Sequence, residues 1–280
     1  MQKVSIGIIG LGLMGGSIGL AIKSLNKNYY LIGLDHNKNH CSEALKLKLV
    51  DEISQTMDKI ENCDIIFLSI PVDGIIKVLQ NLKNLKKDCT VIDLGSTKYK
   101  ITKSVPESIR ANFVAAHPMT GTENFGPSAA FFGLYQDKVV VLCDLEDSGE
   151  HQQNIAKDIF NSIGMNIVYM DSKSHDKHAA FISHMPHAMS YALANSVLNQ
   201  EDPKSILTMA SGGFDSMSRV AKSSSNMWED IFRQNRNNTI DAIKCFSKEL
   251  DYCQRLLENE QYEELNHWMK QANILHKIFK

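Results

Sequence analysis

The feature that most constrains this chain lies at its start, where the uncharged run Val4 to Ile9 breaks into Gly10-Leu11-Gly12-Leu13-Met14-Gly15 and resumes as an apolar helical pattern. A strand entering a helix through G-x-G-x-x-G turns tightly at the first glycine, admits a pyrophosphate at the second and packs helix on strand at the third. The amides of the turn and the helix N-terminus then face an anion. Asp35 closes the next β-rich run about 20 residues further on, where a carboxylate can bind a ribose 2′-hydroxyl. Gly10, Gly12, Leu13, Met14, Gly15 and Asp35 are therefore the expected dinucleotide-binding residues. A carboxylate at Asp35 repels a 2′-phosphate and His36-Asn37 brings no arginine to offset it, so NAD is expected rather than NADP. Ser69-Ile70-Pro71 is a second place where backbone meets such a cofactor, and an ordinary strand-ending turn reads equally well there.

Further β-rich runs at 30–34, 64–70, 90–94, 112–115, 138–142 and 166–170 alternate with helical patterns such as 14–25, 72–85 and 148–163. That alternation predicts an α/β fold, with a Rossmann-type doubly wound parallel sheet over residues 1–171. After Asp171 the extended runs disappear, and helices are expected over 172–198, 204–210, around 216–221, 228–258 and 262–279. Residues 172–280 are read as an all-helical second domain. No flexible linker precedes it, so its first helix should pack directly on the nucleotide domain.

At 280 residues, with 43% hydrophobic and 22% charged positions, the chain can bury a real core. A net charge of -2 gives no footprint for nucleic acid or an anionic membrane, so a small-molecule substrate is the expected partner. Six cysteines without a CxxC pair fit neither a zinc ribbon nor a disulfide framework, which points to a reducing cytoplasm. The uncharged stretch 4–22 approaches the length of a bilayer span. Its dinucleotide-type glycines and the lack of a cleavage site argue against both a span and a signal peptide.

Open α/β sheets bind ligands beyond the carboxyl ends of their strands, and the segments 93–98 and 117–123 are rich in polar groups there. A hydride leaving a carbinol carbon requires loss of the hydroxyl proton, which a neutral imidazole, with a pKa of about 6.5, is suited to accept. His117 is the candidate base, and Ser96 the group that would hydrogen-bond and orient it. Taken alone, His117 also reads as an ordinary loop histidine. In the helical half, Ser183-His184-Met185-Pro186-His187 puts two imidazoles on one helical face, with Pro186 expected to kink the helix. No acidic or thiol ligand recurs at supporting spacing, so substrate contact is preferred to a metal; for His184 a packing role stands beside it. Arg219 is one of five arginines among thirty basic residues. Its guanidinium suits planar carboxylate recognition, although a plain surface arginine reads the same way.

The segments GLGLMGGS, DLGSTK, HPMTGTENFGP, SHMPH, SGGFDSMSR and NMWEDIF follow in order over nearly the whole chain, and in that combination the sequence resembles the prephenate/arogenate dehydrogenase family. The resemblance implies a nucleotide domain followed by a helical dimerisation domain, a homodimer, and no further fused domain. It implies NAD-dependent oxidative decarboxylation of a cyclohexadienol on the route to tyrosine. By motif, His117 corresponds to the catalytic histidine and Ser96 to its partner, His187 and Arg219 to substrate-binding residues, and Glu123, His184 and Trp228 to residues in or beside the same pocket. The polar stretch 223–226 and Glu229 depart from the family pattern in the helical half, where they bear on dimer contacts rather than on the chemistry.

As a donor to a carbonyl or carboxylate, His187 points to prephenate; Glu123 or Asp215 could instead meet the ammonium group of arogenate. A β-hydroxyacid dehydrogenase has a similar fold but uses a helical lysine near its substrate, where this chain has His184 and His187. A cofactor-binding sensor without activity is a third reading, against which Ser96, His117, His187 and Arg219 all stand.

Overall fold

The computed structural model describes residues 3–25, 28–83 and 85–278. Strands β1 (Val4–Ile9), β2 (Tyr29–Leu34), β3 (Glu52–Ile53), β4 (Ile65–Leu68), β5 (Thr90–Asp93), β6 (Phe113–Pro118), β7 (Val139–Cys143) and β8 (Asn166–Met170) form one sheet in the order β3-β2-β1-β4-β5-β6-β7-β8. Neighbours run parallel except β6 and β7, which are antiparallel, with His117 opposite Val141. The parallel sheet expected from the sequence thus carries one antiparallel pair. The connection between β6 and β7 carries only a 3-10 turn at Pro127–Ala129 and no crossover helix, so the chain returns alongside the strand it left.

Helices α1 (Leu13–Ser24), α2 (Lys38–Lys46), α3 (Met57–Glu61), α4 (Val72–Asn81), α5 (Tyr99–Ser104) and α6 (Glu150–Ser162) cover the two faces of the sheet. One core gathers Ile18, Ile22, Ile159 and Phe160 from α1 and α6 with Ile6, Ile8 and Leu142. The other gathers Ile75 and Leu79 from α4 with Ile66, Leu68 and Val91. Strand order reverses between β1 and β4, which opens a crevice at their carboxyl ends. The helix expected over 72–85 stops at Asn81, and its expected passage through Asn84 lies outside the described residues.

The helical half comprises α7 (Ser172–Ala179), a π-helical turn at Ala180–His184, α8 (Met185–Leu198), α9 (Pro203–Thr208), α10 (Gly212–Ser218), α11 (Ser225–Gln234), α12 (Arg236–Glu258), α13 (Tyr262–Ala272) and α14 (Leu275–Ile278). The single helix expected over 172–198 is therefore interrupted, by widening rather than by a simple kink. Pro186 has no N–H for the carbonyl of Ile182 and its ring crowds that carbonyl, a conflict that one wide turn relieves. The helix expected over 228–258 breaks at Asn235, whose φ of -109° and ψ of 32° leave the helical region. The last one breaks after Ala272, and its expected end at Phe279 lies outside the described residues. No helix among the described residues is long and apolar enough to cross a membrane.

Two carboxylates of the helical half grip backbone amides of the nucleotide domain. Asp176 on α7 accepts from Lys98 N at 2.7 Å and Tyr99 N at 3.0 Å. Asp230 on α11 accepts from Val72 N at 2.9 Å and so caps α4, whose own N-cap residue, Pro71, offers no side-chain acceptor. Asp230→Ala should cost about 0.5–2 kcal/mol, the usual range for losing a cap. Arg233→Ala, which removes an exposed partner of Asp73, should cost under about 1 kcal/mol. Urea unfolding of both variants checks the contrast.

Candidate active site

The glycine turn divides its labour in space. Gly10 has φ +90° and a Cβ there would lie 2.4 Å from Ser69 O; a Cβ on Gly15 would lie 1.9 Å from Gly10 O. Both glycines are dictated by the protein itself. A Cβ on Gly12 would meet its first protein atom, Gly126 N, only at 4.0 Å. Gly12 is also the N-cap of α1, which has no side-chain cap and no acidic residue in its first turn, so the helix's leading amides are left for an anion. This bare cradle fits a dinucleotide pyrophosphate. Gly12→Val should leave the melting temperature within a few degrees of wild type while abolishing NAD binding, as read by calorimetry; Gly15→Val should damage the fold itself.

Leu13 and Met14 follow in the first turn of α1, where Met14 O accepts from Tyr135 Oη at 2.7 Å. Asp35 sits at the end of β2, accepting from Leu11 N at 2.9 Å and Asn37 N at 2.8 Å, with His36 and His40 at 3.3 and 3.4 Å. It thus anchors the glycine turn as well as standing where a ribose would lie. Ser69 Oγ lies 2.9 Å from Ile9 O and 2.7 Å from Gly10 O, so its hydroxyl fastens the turn from below. Pro71 leads into α4 across the crevice.

His117 and Pro118 lie within β6 rather than in the loop expected after it. His117 is buried, 9% exposed, and its Nδ1 is 2.8 Å from His175 Nε2. The hydrogen bond expected from Ser96 is not formed among the described residues; Ser96 is half-buried on the loop after β5, and α7 brings His175 to the ring nitrogen instead. His175 Nδ1 is 2.9 Å from Asp176 Oδ1. Burial, followed by the neighbouring His175, Lys98 and His184, holds the His117 imidazole well below its ordinary pKa, so it stands neutral. Beneath it, fully buried Lys98 pairs with Asp93 and donates to Ala116 O at 2.7 Å, while Asp93 accepts from Ala116 N at 3.1 Å. This pair ties β5 to β6 at the residue before the candidate base.

The π-helical turn delivers His184 and His187 to the same region. His184 is 1% exposed; its Nδ1 is 3.1 Å from Asn235 Nδ2, which also donates to Asp176 O at 2.6 Å, and its Nε2 has no partner among the described residues. Burial lowers its pKa to about 4. His187 stacks on Trp228 with ring centroids 3.6 Å apart, and Trp228 meets His184 edge-on at 6.0 Å. His187 Nδ1 donates to Ser183 O at 2.9 Å, and burial pushes its pKa down. Arg219 donates to Glu123 at 2.9 Å, joining the 3-10 turn Arg219–Lys222 of the helical half to the loop after β6. Among the described residues no group of three or more His, Cys, Asp or Glu is arranged to hold a metal ion.

Sequence reasoning misses His175, Asp176, Asn235, Asp93 and Lys98 as site residues. The adjacent His-Asp pair at 175–176 is the available signal, since an imidazole next to a carboxylate is the usual means of orienting a base.

With the two-domain fold, this arrangement sets the chain among nucleotide-dependent dehydrogenases in which a helical domain packs against a Rossmann domain. Comparison narrows the class. Residues 18–169 match the family described as prephenate dehydrogenase, nucleotide-binding domain, and residues 171–271 match prephenate dehydrogenase, dimerization domain. The chain belongs to the prephenate dehydrogenase family. It is 28% identical over 277 residues to the prephenate dehydrogenase of Bacillus subtilis, covering 97% of this chain and 75% of that one. It is 31% identical over 252 residues to the cyclohexadienyl dehydrogenase of Zymomonas mobilis, covering 88% and 85%. Among solved structures, prephenate dehydrogenase from A. aeolicus in complex with hydroxyphenyl propionate and NAD+ superposes with a TM-score of 0.92 at 30% identity, covering 100% of this chain and 99% of that one.

Proposed function

We propose that the chain is an NAD-dependent prephenate dehydrogenase, converting prephenate to 4-hydroxyphenylpyruvate and carbon dioxide in tyrosine formation. The observation that carries this reading is the buried neutral imidazole of His117, near the carboxyl end of β6 on the same sheet edge as the glycine turn after β1, with Nδ1 engaged and Nε2 left without a hydrogen-bond partner among the described residues. NAD held on Gly10, Gly12, Leu13, Met14, Gly15 and Asp35 supplies the two-electron acceptor for the hydride of the ring carbinol. His117 Nε2 takes the hydroxyl proton. When the ring carboxylate leaves as carbon dioxide, its bonding pair stays in the ring, which becomes aromatic and carries the charge on the former hydroxyl oxygen. The imidazolium returns its proton there, so the base is regenerated with no net proton released. Arg219 is suited to the side-chain carboxylate, with Glu123 turning its guanidinium and His184, His187 and Trp228 walling the pocket. Ser96, on the loop after β5, stays a candidate for contact with substrate or cofactor.

A second reading is arogenate as substrate. The His187 Nδ1 proton is committed to Ser183 O, so in its neutral form Nε2 accepts rather than donates, which suits an ammonium group. This removes the argument for prephenate drawn from His187 as a donor. Against arogenate, Glu123 is already engaged by Arg219, leaving less acidic charge for an ammonium. Initial rates of NADH formation with each compound decide: faster turnover of prephenate is expected, and turnover of neither despite NAD binding rejects the assignment.

A homodimer formed through the helical half belongs to the same proposal. Helix α8 buries only Ser190, and α9, α10 and α13 bury nothing, while Leu198, Met209 and Leu250 stand more than half exposed. Such helices lack a core until a second copy covers them. A cytoplasmic location is supported by six free cysteines, with burial pushing the Cys63 thiol up to about 11.

A further inference from the structure

We propose that His175 and Asp176 are positioning residues that fix the tautomer of His117 from the other domain. This rests on the reading of His117 as the base. A carboxylate only accepts hydrogen bonds, so the 2.9 Å contact between Asp176 Oδ1 and His175 Nδ1 requires the proton on that nitrogen. With that single ring proton, His175 presents a lone pair at Nε2. The 2.8 Å contact from Nε2 to His117 Nδ1 in turn requires a proton on His117 Nδ1. The order is thereby forced along the chain, and its last consequence is a lone pair on His117 Nε2, the nitrogen that must receive the substrate proton. The opposite arrangement, with the proton on His175 Nε2, turns a lone pair toward the carboxylate.

The device is anchored as well as ordered. Asp176 cannot rotate away, because Lys98 N holds Oδ1 at 2.7 Å and Tyr99 N holds Oδ2 at 3.0 Å. His175 is 2% exposed and Asp176 4%, so water does not compete for these contacts. When His117 gains a proton, its Nδ1–H bond to His175 becomes charge-assisted, with Asp176 behind it, and strengthens at the moment charge develops. The other charged or titratable groups facing His117 are Lys98 and Asp93 from the β5 side and His184 from the π-helical turn. None of these lies within hydrogen-bond distance of its ring among the described residues, so none can set the tautomer in place of His175.

The test uses full-length protein with NAD bound. Two-bond nitrogen–proton spectra of histidine-labelled protein should show His117 and His175 each protonated at Nδ1 and bare at Nε2; a proton on Nε2 of wild-type His117 overturns the proposal. His175→Phe should lower kcat by about tenfold to a hundredfold, the scale of a misplaced catalytic group, while KM for prephenate and the affinity for NAD stay near wild type. His175→Gln, whose amide can donate to Asp176 and accept from His117, should recover most of that loss and restore the acid limb of the pH profile. Should His175→Phe fail to fold, the wild-type spectra and the glutamine variant still decide. Wild-type rates with no response to either His175 substitution also overturn it. If the wild type turns over neither substrate, the proposed function fails, whereas the tautomer spectra still test the positioning of His117 independently.

Discussion

His117→Asn is expected to lower kcat/KM by about a hundredfold to ten-thousandfold, the usual worth of a general base, with NAD affinity unchanged. The asparagine keeps polarity and approximate size but cannot accept a proton at the position of Nε2. The cofactor cradle lies on α1 and the ends of β1 and β2, so its amides do not depend on this side chain. A pH signature accompanies the rate. Burial and nearby His175, Lys98 and His184 hold the imidazole well below its ordinary pKa, so the unprotonated form persists as pH falls. Wild-type kcat/KM should therefore stay level as pH falls through about 6.5 and decline only below it, and this limb should vanish in the variant. Steady-state rates over a pH series measure both, and a loss under tenfold would remove His117 from the role of base.

Lys98→Met should destabilise the protein by about 3–5 kcal/mol in denaturant unfolding, because it leaves a buried carboxylate without its ammonium partner. Lys98 and Asp93 are both fully buried, and the lysine also fills the carbonyl of Ala116. Burial already pushes the Asp93 carboxyl above its ordinary range, with Lys98 opposing it. An acid whose folded pKa is raised stabilises the fold below its unfolded pKa and loses that contribution as pH rises through the folded value. The defect in Lys98→Met should therefore grow with rising pH from about 4 upward, where the unfolded carboxyl ionises. Adding Asp93→Asn should recover part of the stability, since it removes the unpaired buried charge while its amide oxygen still accepts from Ala116 N. A double variant no better than the single would show that the ion pair is not the source of the effect.

How far these features are legible in sequence depends on the range of the interactions that produce them. The glycine turn, its strand and Asp35 are local in sequence, and all appear where spacing puts them. The long helices and buried strands have enough periods to be read. Strand β3, with two residues, and helices α3 and α5, with five and six, have too few. The antiparallel turn of β7 depends on what the preceding connection lacks, which hydrophobic periodicity does not record. His117 is legible from chemistry as a candidate base. Its partner is not, because 58 residues separate it from His175 and only the docking of α7 on β6 brings the rings together. Ser96, closer in sequence and plausible in chemistry, is the natural but different choice. The π-helical turn is half legible: Pro186 signals a disturbance, and the carbonyl it displaces decides its form.

The two carboxylates that clasp the domains together distribute evolutionary constraint unevenly. Asp176 and Asp230 bind main-chain amides at Lys98, Tyr99 and Val72, and an amide is supplied by almost any residue at those positions. The nucleotide half can therefore drift in side-chain identity at Tyr99 and Val72 while its backbone path is kept, Lys98 being held separately by its buried pair with Asp93, whereas the helical half has little freedom to exchange either acid. A chimera that joined this helical half to a divergent nucleotide half should retain the clasp; one that brought in a helical half lacking the acids should lose it.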